Sequence, residues 1–317
     1  WNDALPLLEA AGRGELVARI CRDIAYKYVW ENRSAEARQY VDRGLRAVGD
    51  EPSSSRCRLL AINSYAHSVA GELAEAEEVN DRALAMAETL GDEALLAGEV
   101  LLSRLYLFQH SFRFGKMAQT GERAVPLLRR LNRSWDLSNA LGGTLLAWAL
   151  QGRFDLLTAH IDEAVTLAVR EGDLGNQFHA GVVRSFVELS QGNVRGGRDG
   201  YRDARAFARE AEFPWWSIAQ ALQGVGELQM GEWDTARATL DDAISQAVTG
   251  TWRGFEPAAR LLVLVYAGDG AAPAELERLI PELPVVGQVG RSGAWTMTAP
   301  VLESALLLGR RDVAAGL

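Results

Sequence analysis

The stretch GEWDTARATLDDAI, residues 231–244, decides the fold because close copies of it recur along the chain. GELAEAEEVNDRAL begins at Gly71, GRFDLLTAHIDEAV begins at Gly152, and the shorter GRRDVAAGL begins at Gly309. Each of the longer copies continues from its glycine as an amphipathic segment in which two residues, usually small, stand seven positions apart. Such a segment predicts a helix after a tight turn, since glycine tolerates positive φ and residues seven apart share one helix face.

The glycine that opens each copy marks a repeat of about 40 residues that covers the whole chain. Degenerate copies at Phe112 and near Asn32 fill the positions where no glycine stands. The predicted anchors are Asn32, Gly71, Phe112, Gly152, Gly192, Gly231, Gly270 and Gly309. A repeat of this length indicates supersecondary units that stack on one another.

Each unit reads as two helices, an apolar one before the anchor and an amphipathic one after it, and no segment alternates like a strand. We therefore predict an all-α, right-handed α-solenoid that forms a single superhelical domain over residues 1–317. One irregular unit and loop is expected at about residues 268–292, where Pro273, Pro281 and Pro284 occur. Because proline interrupts helices, the second helix there should be short, and a loop should follow from about Leu283 to Ser292.

The glycine turn and the small residues of the second helix resemble the tetratricopeptide repeat, although the period exceeds the usual 34 residues. The final stretch GRSGAWTMTAPVLESALLLGRRDVAAGL, residues 290–317, resembles the helical tails of large bacterial signalling proteins. These are AAA/STAND-type ATPases, often with a class III adenylate or guanylate cyclase domain, and LuxR-type regulators of the maltotriose-sensor kind. The resemblance implies a regulatory domain that acts on the ATPase, cyclase or DNA-binding domains of its parent, and we expect the chain to be a piece of such a protein.

Composition favours a protein that works in the cytoplasm on neither nucleic acid nor membranes. The formal net charge is −9, and polyanionic surfaces favour a cationic partner. No apolar run approaches the roughly 18 residues of a membrane span. The two cysteines, Cys21 and Cys57, lack the spacing of a disulfide framework or a metal site.

The sequence contains no motif that carries catalysis. It has no phosphate-binding GxxxxGK[ST] loop, no HExxH and no CxxC, and its four histidines fall in different units. We therefore expect no enzymatic activity, no cofactor and no metal in this chain.

The candidate site is the concave face of the first helices, which is where helical repeats bind partners. Residues 13, 10, 6 and 3 positions before each anchor share one helix face and place Tyr26, Tyr65 and Tyr106 in one row, with arginines beside them. Tyrosine combines contact area with a polar group, and arginine binds carboxylates in a bidentate manner. The predicted groove residues are Arg19, Arg22, Tyr26, Arg58, Tyr65, Glu99, Tyr106, His110, Asn139, His179 and Phe186.

Two interpretations of this face remain open at the level of sequence. In the first, a protein segment or a small-molecule effector binds in the groove, and the apolar stretch from His179 onward adds a pocket for a small ligand. In the second, the tyrosines and apolar residues pack between repeats, and the chain is a structural or oligomerising solenoid without a groove ligand. A repeat-fold enzyme is a third hypothesis, which requires a titratable cluster between units.

Overall fold

The structure is a computed structural model that describes residues 3–31, 33–212, 216–246, 254–283 and 295–316. All regular secondary structure in these ranges is helical, so the predicted all-α class is confirmed. The chain divides into two compact units, Trp1–Ala147 and Trp148–Leu317, which are described separately. A single domain over residues 1–317 stays a prediction.

The first unit is a stack of helix pairs in which first helices contact one another. α2 packs against α4, α4 packs against α7, and each second helix packs against the first helices beside it. Its elements are α1 (Ala4–Ala10), α2 (Gly14–Trp30), α3 (Ser34–Val48), α4 (Ser54–Ala70), α5 (Leu73–Leu90), α6 (Glu93–Leu95), a π-helical turn (Leu96–Leu101), α7 (Leu102–His110), α8 (Phe114–Arg130) and most of α9 (Ser134–Leu150).

The second unit repeats the same arrangement of helix pairs. α13 packs against α15, and α15 packs against α17, as first helices do in the first unit. Its elements after α9 are α10 (Phe154–Arg170), α11 (Leu174–Ser190), α12 (Val194–Glu210), α13 (Trp216–Gln229), α14 (Trp233–Gln246), α15 (Phe255–Tyr266), α16 (Ala272–Leu279), a 3₁₀ turn (Ile280–Glu282), α17 (Trp295–Leu307) and α18 (Arg311–Gly316).

Helix length explains why the period exceeds 34 residues. The helices α8 to α12 have 17 residues each, and three residues separate each of them from the next. Two such helices with their two turns give a 40-residue repeat. The extra residues therefore lengthen the helices and leave the turns short.

Most anchors take the left-handed backbone conformation that a tight turn after a helix requires. Phe112 adopts it with φ of 58° although it carries a side chain, and Gly268, not Gly270, adopts it in the irregular unit. The anchor predicted at Asn32 lies outside the described residues. Positive φ values at the other anchors occur at Gly71, Gly152, Gly192, Gly231 and Gly309.

The paired positions in the second helices bring neighbouring helices close together. All of them are buried, as at Ala76 and Ala83 in α5 and at Gly197 and Ala204 in α12. A Cβ atom on Gly197 would lie 2.8 Å from the carbonyl oxygen of Ser185, so α11 and α12 approach at backbone distance. This contact is what the small side chains permit.

The irregular unit has a short second helix. α16 spans eight residues, begins with Pro273 in its first turn, and ends in the 3₁₀ turn that contains Pro281. The loop predicted from Leu283 to Ser292 lies, beyond Leu283, outside the described residues, as does Pro284.

Candidate functional site

A pocket of about 280 Å³ lies in the first unit among the first helices of four consecutive repeats. We call it the Tyr/Arg pocket. Six of the predicted groove residues line it, which shows that the helical spacing placed them on one face. The lining residues are Arg22, Tyr26, Ala61, Ile62, Tyr65, Gly98, Glu99, Leu102, Ser103, Tyr106, Arg133, Trp135, Asp136 and Asn139.

Aromatic rings form one wall of the pocket. Tyr65 and Tyr106 stack with ring centroids 4.5 Å apart and an interplanar angle of 13°. Trp30 contacts Tyr106 and Tyr26 edge to face, at centroid distances of 6.3 and 6.2 Å. The hydroxyl of Tyr106 donates to Asn139 Oδ1 at 3.3 Å, which fixes the position of the ring. The wall offers flat apolar surface with polar groups at its edge.

Arginine side chains hold two carboxylates at the pocket. Arg22 Nη2 donates to Glu99 Oε2 at 2.6 Å, and Arg58 Nε lies 3.6 Å from Glu99 Oε1. Arg133 Nη2 lies 2.6 Å from Asp136 Oδ2. The pocket therefore contains charged groups as well as aromatic ones, and Glu99 is shared between two guanidinium groups from different repeats.

The carboxyl group of Asp136 sits in an unfavourable environment for its charge. Asp136 is 9% exposed, and burial raises its pKa; the negative charge of Glu99 acts in the same direction, whereas Arg133 opposes both. Burial disfavours the charged form of a carboxyl group, and a nearby positive charge favours it. The ion pair with Arg133 therefore favours the charged form of Asp136, against the effect of burial.

A π-helical turn at Leu96–Leu101 carries Glu99 into the site. Such turns insert an extra residue into a helix and occur often at functional sites. Gly98 lies in the same turn, and a Cβ atom there would lie 2.9 Å from Asp136 Oδ2. The absent side chain lets the Arg133–Asp136 pair approach the backbone next to Glu99.

A second, larger pocket of about 830 Å³ shares Arg22 and Glu99 with the first. Its walls include Arg19 and Arg58, together with the turn Gly12–Gly14 that begins α2. Arg19 is exposed and forms no ion pair within the described part of the chain. The Arg22–Glu99 pair thus stands between a small aromatic pocket and a wider one rich in arginine.

His110 packs against a residue of the site and lines neither pocket. Its ring is 5% exposed and stacks against Tyr65 at a centroid distance of 6.2 Å. Burial lowers the pKa of His110 to about 4, so the ring is neutral near pH 7. The sequence placed this residue beside the groove, and the structure places it in the packing beneath Tyr65.

His179 and Phe186 lie in α11 of the second unit. Both are half-buried, and the Nε2 atom of His179 is buried without a hydrogen-bond partner among the described residues. Burial lowers the pKa of His179 to about 4. Of the apolar stretch that follows, Ala221 and Leu228 belong to a hydrophobic core cluster of the described residues, and a small-ligand pocket there stays a prediction.

Eight of the fourteen residues that line the Tyr/Arg pocket were not among the predicted groove residues, and Arg133, Trp135 and Asp136 are the charged and aromatic ones among them. They lie at and just before the start of α9, one helical turn before Asn139, which was predicted. Extending the groove face one turn toward the start of each first helix would have included Trp135 and Asp136. Trp135 is 47% exposed and stands on the rim of the pocket.

The described residues contain no group of three or more histidine, cysteine or acidic side chains placed to hold a metal ion. In the same residues, no helix has both the length and the apolar composition to cross a membrane.

No family model and no curated protein matches the sequence. Among solved structures, a Rap protein complexed with competence and sporulation factor is similar with a TM-score of 0.64 at 12% identity, over 95% of each chain. A signal transduction ATPase with numerous domains and a tetratricopeptide repeat sensor, from Pyrococcus horikoshii, gives a TM-score of 0.58 at 13% identity. That match covers 93% of this chain and 44% of the other chain.

These similarities establish the fold: the chain consists of TPR-like helical repeats. The repeat sequence resembles the tetratricopeptide repeat, and the similar solved structures share the same helical-repeat architecture. At 12% and 13% identity they carry no further conclusion about activity.

Proposed function

We propose that this chain is a non-catalytic regulatory domain that binds its ligand or partner segment at the Tyr/Arg pocket and the larger pocket next to it. The observation that carries the proposal is the convergence of tyrosine and arginine side chains from separate repeats on one concave site. Arg22 and Tyr26 come from α2, Arg58 and Tyr65 from α4, and Tyr106 from α7. Concave sites of mixed apolar and polar lining are where proteins bind ligands.

The same geometry supports a regulatory role. A ligand in the pocket would touch four consecutive first helices and would favour one spacing between them. A ligand shifts a conformational equilibrium by the difference of its affinities for the two states. The binding of one molecule at this site would thus select one arrangement of the first unit and pass that change along the chain.

For the receiver of the signal we propose an ATPase, cyclase or DNA-binding domain in the same polypeptide. The similarity to a STAND protein with a tetratricopeptide repeat sensor supports this, since this chain spans 44% of that protein's length. The Rap protein supports binding by this fold, because it was solved in complex with competence and sporulation factor.

Thermal unfolding of the chain against metabolites, nucleotides and short peptides tests the proposal. A ligand at about 100 times its dissociation constant stabilises the folded state by about 2.7 kcal/mol and raises the melting temperature by several degrees. We expect at least one such ligand, and we expect Arg58→Glu and Tyr65→Ala each to abolish its shift.

Arg184→Glu serves as the matched control. Arg184 pairs with Asp162 on the surface of the second unit, where both side chains are exposed. The ligand-induced shift should survive in this variant. A shift that persists in Arg58→Glu and Tyr65→Ala would contradict the proposed site. A mass that rises with concentration in light scattering, together with no response to any ligand, would favour an oligomerising solenoid.

A further inference from the structure

We propose that the ligand of the Tyr/Arg pocket is a small aromatic carboxylate, and that Glu99 occupies the place of its carboxylate group until the ligand binds. The inference rests on the proposed function, because it names the ligand class of the same pocket. It follows from the charges around Glu99, from the aromatic wall and from the size of the pocket.

The two guanidinium groups at Glu99 form a receptor for one carboxylate. Arg22 and Arg58 reach Glu99 from different repeats, at 2.6 and 3.6 Å. Arg22 also has a buried Nε atom without a hydrogen-bond partner among the described residues. Its Nη1 atom donates to Asp23 Oδ1 at 3.1 Å, so Nε is the donor that remains. Because a guanidinium binds a carboxylate through two parallel donors, a better-placed carboxylate would use Nε together with Nη2.

Glu99 can leave this receptor without entering an apolar region. Its side chain is 15% exposed and lines the larger pocket as well as the Tyr/Arg pocket. Arg19 lies on the wall of that larger pocket. A displaced Glu99 therefore turns toward solvent and Arg19, and the ligand carboxylate keeps one negative charge next to Arg22 and Arg58.

A cationic ligand fits the same site poorly. It would have to compete with Arg22 and Arg58 for Glu99, and with Arg133 for Asp136. Losing the partner of a partly buried charge is costly, since the remaining charge is left without compensation. The geometry thus favours an anion that replaces Glu99 over a cation that binds to it.

The rest of the pocket selects a flat ring. Tyr65 is stacked with both Tyr106 and His110, whereas Tyr106 is half-buried and Trp135 stands 47% exposed at the rim, so these two rings offer the aromatic surface. Aromatic ligands pack against such surfaces in offset or edge-to-face geometry. The volume of about 280 Å³ corresponds to on the order of nine water molecules, which is enough for one ring system with a short acidic arm.

Three indoles with side arms of similar length and different charge test the inference. They are indole-3-acetate, the neutral indole-3-acetamide and the cationic tryptamine, each titrated into the chain by calorimetry. We expect indole-3-acetate to bind at least tenfold more tightly than the other two. We expect Glu99→Gln to tighten its binding about tenfold, because the internal competitor is gone, and Arg22→Gln to weaken it by a factor of 10 or more.

Glu88→Gln is the matched control. Glu88 pairs with Arg123 on the exposed surface of the first unit and does not line the pocket. Its affinity for indole-3-acetate should equal that of the unaltered chain. Circular dichroism of each variant separates a loss of binding from a loss of folding.

Preference for tryptamine or for the amide, or weaker binding of indole-3-acetate by Glu99→Gln, would overturn the inference. If all three indoles bind equally and Tyr65→Ala abolishes their binding, the pocket is a ligand site, but Glu99 does not occupy the place of a ligand carboxylate and the inference is wrong. If none of the three binds while another compound raises the melting temperature through Arg58 and Tyr65, the ligand class is wrong and the proposed function stands. If no compound in either experiment binds, both proposals fail.

Discussion

Tyr65 belongs to the core and to the candidate site at once. It is 7% exposed and packs in the hydrophobic cluster that includes Val29 and Ile62, while its ring also lines the Tyr/Arg pocket. Burial raises the pKa of its hydroxyl well above the ordinary range, so the phenol stays protonated at every pH of interest. The two interpretations of the tyrosine row, interrepeat packing and ligand contact, therefore apply to the same side chain.

His110, beneath Tyr65, should make the stability of the first unit dependent on pH. Burial lowers its folded-state pKa to about 4 from the ordinary 6.5, so the folded protein binds fewer protons than the unfolded chain. Its contribution is fully present above pH 6.5 and is lost as the pH falls toward 4. Between pH 7 and pH 5 the loss is on the order of 2 kcal/mol, measurable by urea unfolding.

The variant His110→Phe isolates this effect. Phenylalanine keeps a ring against Tyr65 and cannot be protonated. We expect its free energy of unfolding to fall less between pH 7 and pH 5 than that of the unaltered chain, by an amount on the order of 2 kcal/mol. Equal pH dependence of the two proteins would show that His110 is not the group that titrates.

At the scale of the elements, the left-handed turn residues set where each helix ends. Positive φ recurs every 19 to 21 residues from Gly71 to Gly231, both at the anchors and at the turns between repeats. Glycine fills most of these positions, but Phe112, Asn132 and Glu212 occupy three of them with φ of 58°, 54° and 53°. Side chains in this conformation cost free energy that glycine does not.

We therefore expect Glu212→Gly to stabilise the chain by about 1 kcal/mol in urea unfolding, since Glu212 is exposed and its φ is 53°. Glu210→Gly, the same exchange at the last residue of α12, should destabilise it by up to about 1 kcal/mol, because glycine disfavours the helix. The two changes should thus have opposite signs. Destabilisation by both would contradict the role given to the turn.

The helix pairs and part of the candidate site could be predicted because both depend on periodicity. The anchor glycine and the paired positions seven apart fix the second helix, and counting back from the anchor placed Tyr26, Tyr65 and Tyr106 on one face. Side chains on the same face of stacked helices lie next to one another. The position of these tyrosines could therefore be predicted from the local sequence.

Other features escaped because they depend on contacts between distant segments. The π-helical turn at Leu96–Leu101 has no signature in a 3.6-residue pattern. α13 packs against α12, α14 and α15, so polar residues such as Gln220 and Glu227 are buried as fully as its apolar ones. A pattern that assigns one buried face to each helix therefore does not describe α13.

At the scale of the whole molecule, the candidate site belongs to one of the two compact units. Every residue that lines the two pockets lies before Ala147. The second unit has the same helix-pair construction without the row of tyrosines. The proposed function therefore assigns ligand recognition to the first unit.

Hydrogen exchange of the whole chain, measured by mass spectrometry with and without the compound that raises the melting temperature most, tests this claim most directly. We predict slower exchange in Gly14–Trp30, in Ser54–Ala70 and in the helical segment 93–110, because a bound ligand opposes local opening of the helices it touches. Protection confined to the helices of the second unit, with α2, α4 and α7 unchanged, would contradict it.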